Sequence, residues 1–144
     1  MDYALRQRQL ESAASSEPAE LLQNWRDGRI KMFIIHRLLT LRREHPDHFA
    51  TGTYTQVNLS GSFAEKIIAF ERRSGNETIL IVVPRHTAPL GYPPIGEVWA
   101  DTQIASPTLM HHWRNIFTAR EHAGEYLRLS DVLAELPVAV LAGS

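Results

Sequence analysis

The clearest periodic signal in the chain runs from Gly28 to Glu44. Ile30, Phe33, Ile34, Leu38 and Leu41 recur at helical spacing with only the long Arg37 intervening, which sets five apolar side chains on one stripe. Asp27 is placed to cap the start, Arg42 and Arg43 lie near the negative end of the helix dipole, and Pro46 forces an exit. The pattern predicts a helix over 28–44. Upstream, Met1 to Glu11 is rich in helix formers, Ser15-Ser16-Glu17-Pro18 interrupts, and Pro18 suits the first turn of a second short helix reaching Trp25.

After His48-Phe49-Ala50 the period becomes two. Gly52 to Leu59, Lys66 to Arg72 and Thr78 to Val83 are predicted as three antiparallel strands in a meander, with turns at Ser60-Gly61-Ser62 and Ser74-Gly75-Asn76. Residues 84–97 hold too many prolines and glycines for a central strand and are expected to form a long ordered loop. Strands are expected to resume at Val98–Asp101, Asn115–Thr118 and Glu125–Leu129. A capped helical turn follows at Ser130–Glu135, with the Ser130 hydroxyl as cap, and then a terminal strand, Leu136–Leu141. The fold class is α+β: a helical segment over 1–48, then an antiparallel all-β domain over 49–144.

Length and composition narrow the chemistry. At 144 residues the chain is too short for a (β/α)₈ barrel, which needs about 250 residues. A formal net charge of -1 gives no general reason to expect nucleic acid or an anionic membrane as partner. With no cysteine there is no disulfide, thiol nucleophile or thiolate zinc site. The first residues hold no apolar leader and no apolar run is long enough for a membrane span, so a cytoplasmic location is expected.

Candidate chemistry is sparse. Of the seven histidines, His45 and His48 flank Asp47, but H-E-x-x-H spacing is absent and Pro46 breaks the helix, so they are read as exposed or helix-capping residues. His111-His112 is equally bland. No metal and no cofactor is expected. Glycoside chemistry needs two carboxylates facing each other across a sugar. Glu71 and Glu77 flank the predicted hairpin and are expected to face solvent. Glu97 and Asp101 share one predicted strand face with Trp99, so that trio could line a polar groove. Tyr92, Trp99 and Trp113, with Glu97 and Asp101, are therefore the candidate glucan-binding residues, set against core packing as the plainer role of large aromatics.

Several stretches in order give the chain a family likeness. They are Asp2-Tyr3-Ala4-Leu5-Arg6, Trp25-Arg26-Asp27-Gly28-Arg29-Ile30-Lys31, Leu38-Leu39-Thr40-Leu41-Arg42-Arg43-Glu44-His45-Pro46, Val82-Val83-Pro84-Arg85, Gly96-Glu97-Val98-Trp99-Ala100-Asp101-Thr102, Trp113-Arg114-Asn115-Ile116-Phe117-Thr118 and Leu136-Pro137-Val138-Ala139. Together they resemble the C-terminal part of the malto-oligosyltrehalose synthases, within the α-amylase-like glycoside hydrolase family. The resemblance implies that the helix over 28–44 corresponds to the last helix of a catalytic barrel and that the all-β domain is a β-sandwich. Such enzymes convert the reducing-end α-1,4 linkage of a maltodextrin to α,α-1,1. Their catalytic carboxylates lie on earlier strands, so no catalytic residue carries over. The stripe Ile30, Phe33, Ile34, Leu38 and Leu41 is then a packing seam that the β domain, the first helices or another chain must cover. The expected partner is an upstream catalytic barrel or a second copy of the chain, whether the chain is cut from a longer enzyme or is a truncated homologue. An α-glucan is the further candidate ligand. The readings left open are a structural module, an α-glucan-binding module, and a small independent sugar-active enzyme using Glu97 and Asp101.

Overall fold

The computed structural model describes residues 3–105 and 112–143, so His111 lies outside the described residues. The chain divides into two compact units, Met1–Pro46 and Asp47–Ser144.

The first unit is helical: α1 (Tyr3–Ser15), α2 (Pro18–Gln23), a 3-10 turn over Trp25–Asp27, and α3 (Arg29–Glu44). Pro18 occupies the first turn of α2 after an extended Glu17, where its missing N–H is harmless. Gly28 adopts a left-handed conformation, φ 83°, that ends the 3-10 turn and lets α3 begin. The N-cap residue itself is Gly28, not Asp27 as expected, yet Asp27 still reaches the first turn. Its Oδ1 accepts the Arg29 N–H at 2.8 Å, and Oδ2 pairs with Arg29 Nε at 2.8 Å. These bonds from Arg29, the backbone one foremost, hold the Asp27 carboxyl below the usual range. Both α1 and α2 pack on α3.

From the boundary between the units onward, α4 (Pro46–Ala50) is followed by β1 (Thr53–Gln56), β2 (Leu59–Ser60), β3 (Ile67–Ser74) and β4 (Glu77–Pro84). After a long loop come β5 (Gln103–Ala105), β6 (His112–Asn115), β7 (Glu121–Ala123), β8 (Tyr126–Arg128), α5 (Leu129–Val132) and β9 (Ala139–Gly143). All pairings are antiparallel. One sheet has the order β1-β3-β4-β9-β6-β7 and the other β2-β5-β8. β3 and β4 form the expected hairpin, Ser74 opposite Glu77, with Gly75 at φ 59° in its two-residue turn. Ile67, Ala69, Leu80, Val82, Trp113 and Leu141 from the larger sheet meet Ile104 and Leu127 from the smaller in one core, which Trp99 and Leu129, Val132 and Leu133 complete.

Several expected elements differ in detail. The stretch Gly52–Leu59 divides at buried Val57, so that β1 joins one sheet and β2 the other. No strand forms over 98–101. Gly96–Trp99 is a 3-10 turn, bounded by positive φ at Gly96 (65°) and Ala100 (48°), which carries Trp99 into the core. The strand expected at 115–118 instead ends at Asn115. Asn115 Oδ1 accepts the Phe117 N–H at 3.0 Å, and the chain turns back through Ala119 at φ 58°. This side-chain turn produces β7, for which the sequence offers no glycine or proline signal. The C-terminal helical turn starts a residue earlier than expected, after Arg128, with Ser130 buried within it and not capping it. Pro137 falls before the last strand.

Candidate functional site

The five candidate glucan-binding residues do not share one surface. Trp99 is fully buried, and its indole Nε1–H donates to Pro94 O at 2.9 Å. Trp113 is also buried, on β6, where an added Cβ at Gly143 would lie only 2.9 Å from its ring. Both rings belong to the core cluster. Asp101 is engaged locally: its Oδ1 accepts the Ser62 N–H at 2.9 Å, and the neighbouring Thr102 hydroxyl oxygen accepts the Phe63 N–H at 3.1 Å. The bond from Ser62 is the main reason that the Asp101 carboxyl lies below its ordinary range. Glu97 is exposed on the 3-10 turn, and Tyr92 presents an exposed ring in the preceding loop. The parity that placed Glu97, Trp99 and Asp101 on one face required a strand, and a 3-10 turn removes it.

Glu71 is buried, with 5% of its surface exposed, and does not face solvent as its place beside the hairpin suggests. The alternation along β3 explains this, since Ile67, Ala69 and Glu71 point the same way. Its Oε2 finds no hydrogen-bond partner, and burial raises the carboxyl's pKa, with the charge of Arg73 opposing the shift. A raised native value favours the protonated form. Its stabilising contribution is therefore full below the ordinary carboxylate range and is lost as pH rises through the native value. Glu71→Gln should raise the thermal midpoint by a few degrees at pH 7, and the gap to wild type should close near pH 4. Melting curves at the two pH values check this, and a gap independent of pH would contradict it.

His48 is likewise buried, not exposed: its Nε2 lies 3.2 Å from Glu77 O. Arg72 Nη1 donates to His48 O at 2.8 Å and to Phe49 O at 3.4 Å, satisfying carbonyls of α4.

The other feature is an apolar face on α3. Within the predicted seam Phe33 and Leu41 are buried, Ile30 and Ile34 half-buried, and Leu38 exposed. Two residues outside that seam, Ile35 and Leu39, are 46% and 61% exposed and continue from Leu38 around the helix. The signal was present in the run Phe33-Ile34-Ile35 and the pair Leu38-Leu39, too wide for a single stripe at about 100° per residue. Burying such a side chain is worth about 1.5–3 kcal/mol, which these three forgo in the single chain. Lys31 and Arg42 lie on the same side at helical spacing, so the face is apolar with a cationic border.

No family model matches the chain. It is similar to a maltooligosyl trehalose synthase of Mycobacterium tuberculosis, 30% identical over 111 residues, covering 77% of this chain and 13% of the relative. It is also similar to alpha-1,4-glucan:maltose-1-phosphate maltosyltransferase 1 of Streptomyces coelicolor, 29% identical over 107 residues, covering 67% of this chain and 15% of the relative. Among solved structures, maltooligosyltrehalose synthase from Arthrobacter ramosus aligns with a TM-score of 0.61 at 27% identity, covering 88% of this chain and 16% of that one. The likeness to malto-oligosyltrehalose synthases thus runs over most of this chain, and the chain spans only 13–16% of the length of those proteins.

Proposed function

We propose that this chain, similar along most of its length to a small part of the malto-oligosyltrehalose synthases, is the C-terminal structural module of such an enzyme. In this reading it carries no catalytic centre of its own. The parent enzyme would convert the reducing-end α-1,4 linkage of a maltodextrin to α,α-1,1, a step in trehalose biosynthesis, with carboxylates outside this chain. The observation that carries the reading is the exposed face Ile35, Leu38 and Leu39 on α3. Its proposed occupant is the catalytic body, the missing bulk of proteins several times longer than this one; a second copy of the chain substitutes when the body is absent.

The chain's own carboxylates support a structural role. Glu71 is turned into the core and Asp101 is held by the Ser62 turn. Glu97 and Asp101 no longer share a strand face, which removes the geometric basis for an independent enzyme using that pair.

Light scattering on the chain at increasing concentration, compared with the double variant Ile35→Glu, Leu39→Glu, tests the seam. The wild-type chain should associate, and the variant should remain monomeric with an unchanged thermal midpoint, because both side chains are exposed. Monomeric wild type at all concentrations, or association that survives the substitutions, would count against the proposal.

A further inference from the structure

β7 is the last strand of the larger sheet and β8 the last of the smaller, and α5 follows β8 directly. Against them lies a solvent-open cavity of about 340 Å³ lined by Arg120, Glu121, His122, Tyr126, Arg128 and Asp131, among others. Its volume is at the small end of ligand pockets, about 300–1,000 Å³, but such pockets are mostly apolar and this lining is polar.

The balance of that lining selects the ligand. Two guanidinium groups, Arg120 and Arg128, offer donors in planar forks, and two carboxylates, Glu121 and Asp131, offer acceptors. An anion meets the carboxylates and a cation meets the arginines, so neither is favoured by every group of the lining. A neutral molecule with many hydroxyls uses both sets, since each hydroxyl donates and accepts. Arg120 is oriented by an ion pair with Glu135 at 3.5 Å. His122, opposite Trp113 in the sheet, has a buried Nε2 without a hydrogen-bond partner. Burial first, and the charge of Arg120 second, lower its pKa against the opposing pull of Asp131. Along β8, Leu127 turns into the core while Tyr126 and Arg128 face out. Tyr126, 57% exposed and part of the cavity lining, offers a flat, amphipathic ring of the kind on which the C–H side of a sugar can rest.

We propose that this cavity is a binding site for a neutral saccharide, taking a glucosyl unit of an α-glucan, with Tyr126 as platform and the Arg and carboxylate groups as hydroxyl partners. The choice of an α-glucan among neutral saccharides rests on the function proposed above. The site is distinct from the glucan-binding set expected from the sequence, whose two tryptophans are in the core.

Nuclear magnetic resonance of the isotope-labelled full chain, titrated separately with maltotriose, cellotriose and inorganic phosphate, tests it. Maltotriose should shift the His122 ring signals and the amides of 120–128, with a dissociation constant on the order of 1 mM. Tyr126→Ala should weaken the effect at least tenfold while leaving the remaining amide spectrum unchanged; phosphate should cause no shift. No response to maltotriose or cellotriose, a response to phosphate, or saccharide binding indifferent to Tyr126→Ala would overturn the site. A response to cellotriose in place of maltotriose would overturn the α-glucan assignment. Association through α3 does not involve this cavity's residues, so either proposal can fail without the other.

Discussion

Trp99→Ala should remove about 3–5 kcal/mol of stability from the second unit, which would leave only about 0–2 kcal/mol if its total is near the low end of the usual range of about 5–15 kcal/mol. Trp99 has no exposed surface and is among the largest fully buried side chains. Its ring sits in the cluster to which both sheets and α5 contribute, so truncation opens a cavity that no single element can close. The indole N–H is also the partner of Pro94 O, and its loss leaves that buried carbonyl unpaired. Trp99→Phe keeps most of the apolar volume and loses the N–H, so it should fall between wild type and alanine. Urea unfolding of the three proteins measures the order. A loss under 1 kcal/mol for Trp99→Ala would mean that Trp99 does not anchor this core.

Gly61→Ala should cost about 2–5 kcal/mol, because a backbone penalty and a steric one coincide there. Gly61 has φ 102°, and an added Cβ would lie 2.6 Å from both Asp101 O and Thr102 Cα. Those are backbone atoms, in the segment that receives the Ser62 and Phe63 N–H groups, so relief requires breaking the junction between the 61–63 turn and β5. Gly75→Ala is the control. It also has positive φ, 59°, but nothing lies within 4 Å of the new Cβ, so only the conformational cost of about 1–2 kcal/mol applies. Equal losses for the two variants would show that the close approach at Gly61 is unimportant.

The helical unit of the chain is legible because its signals are local. Asp27-Gly28, the spacing from Ile30 to Leu41 and Pro46 each act within a turn or two of the helix they delimit, and the structure returns α3 within a residue at its start. The β3–β4 hairpin was legible for the same reason. The errors occurred where tertiary packing overrode a local pattern. A strand is expected over Val98–Asp101, yet Gly96–Trp99 forms a 3-10 turn bounded by two positive φ values, with Trp99 buried. β7 exists because the Asn115 side chain folds the backbone over, a turn without the usual punctuation. For Glu71, a place beside a turn suggests solvent, but the strand parity shared with Ile67 and Ala69 decides its burial.

The site was less legible than the fold for a further reason. Aromatic residues look alike in sequence whether they stack on a ligand or fill a core, and Trp99 and Trp113 do the second. Tyr126, by contrast, sits in a short strand between Glu125 and Leu127, with no mark that distinguishes it from ordinary surface. Only the convergence of β7, β8 and α5 brings Arg120, Asp131 and Tyr126 to one cavity. The exposed face of α3 needed both levels. Ile35 and Leu39 are apolar in the sequence, but only the packing shows which apolar residues are left in solvent.

Whether this module is without catalytic power of its own is tested most directly by incubating the purified chain with maltopentaose and following the loss of reducing ends. Glu121 and Asp131 line one cavity, and both are exposed to solvent. The predicted result is an unchanged reducing-end count, the same as in a buffer blank. Formation of a non-reducing product at a rate proportional to the amount of chain would contradict it.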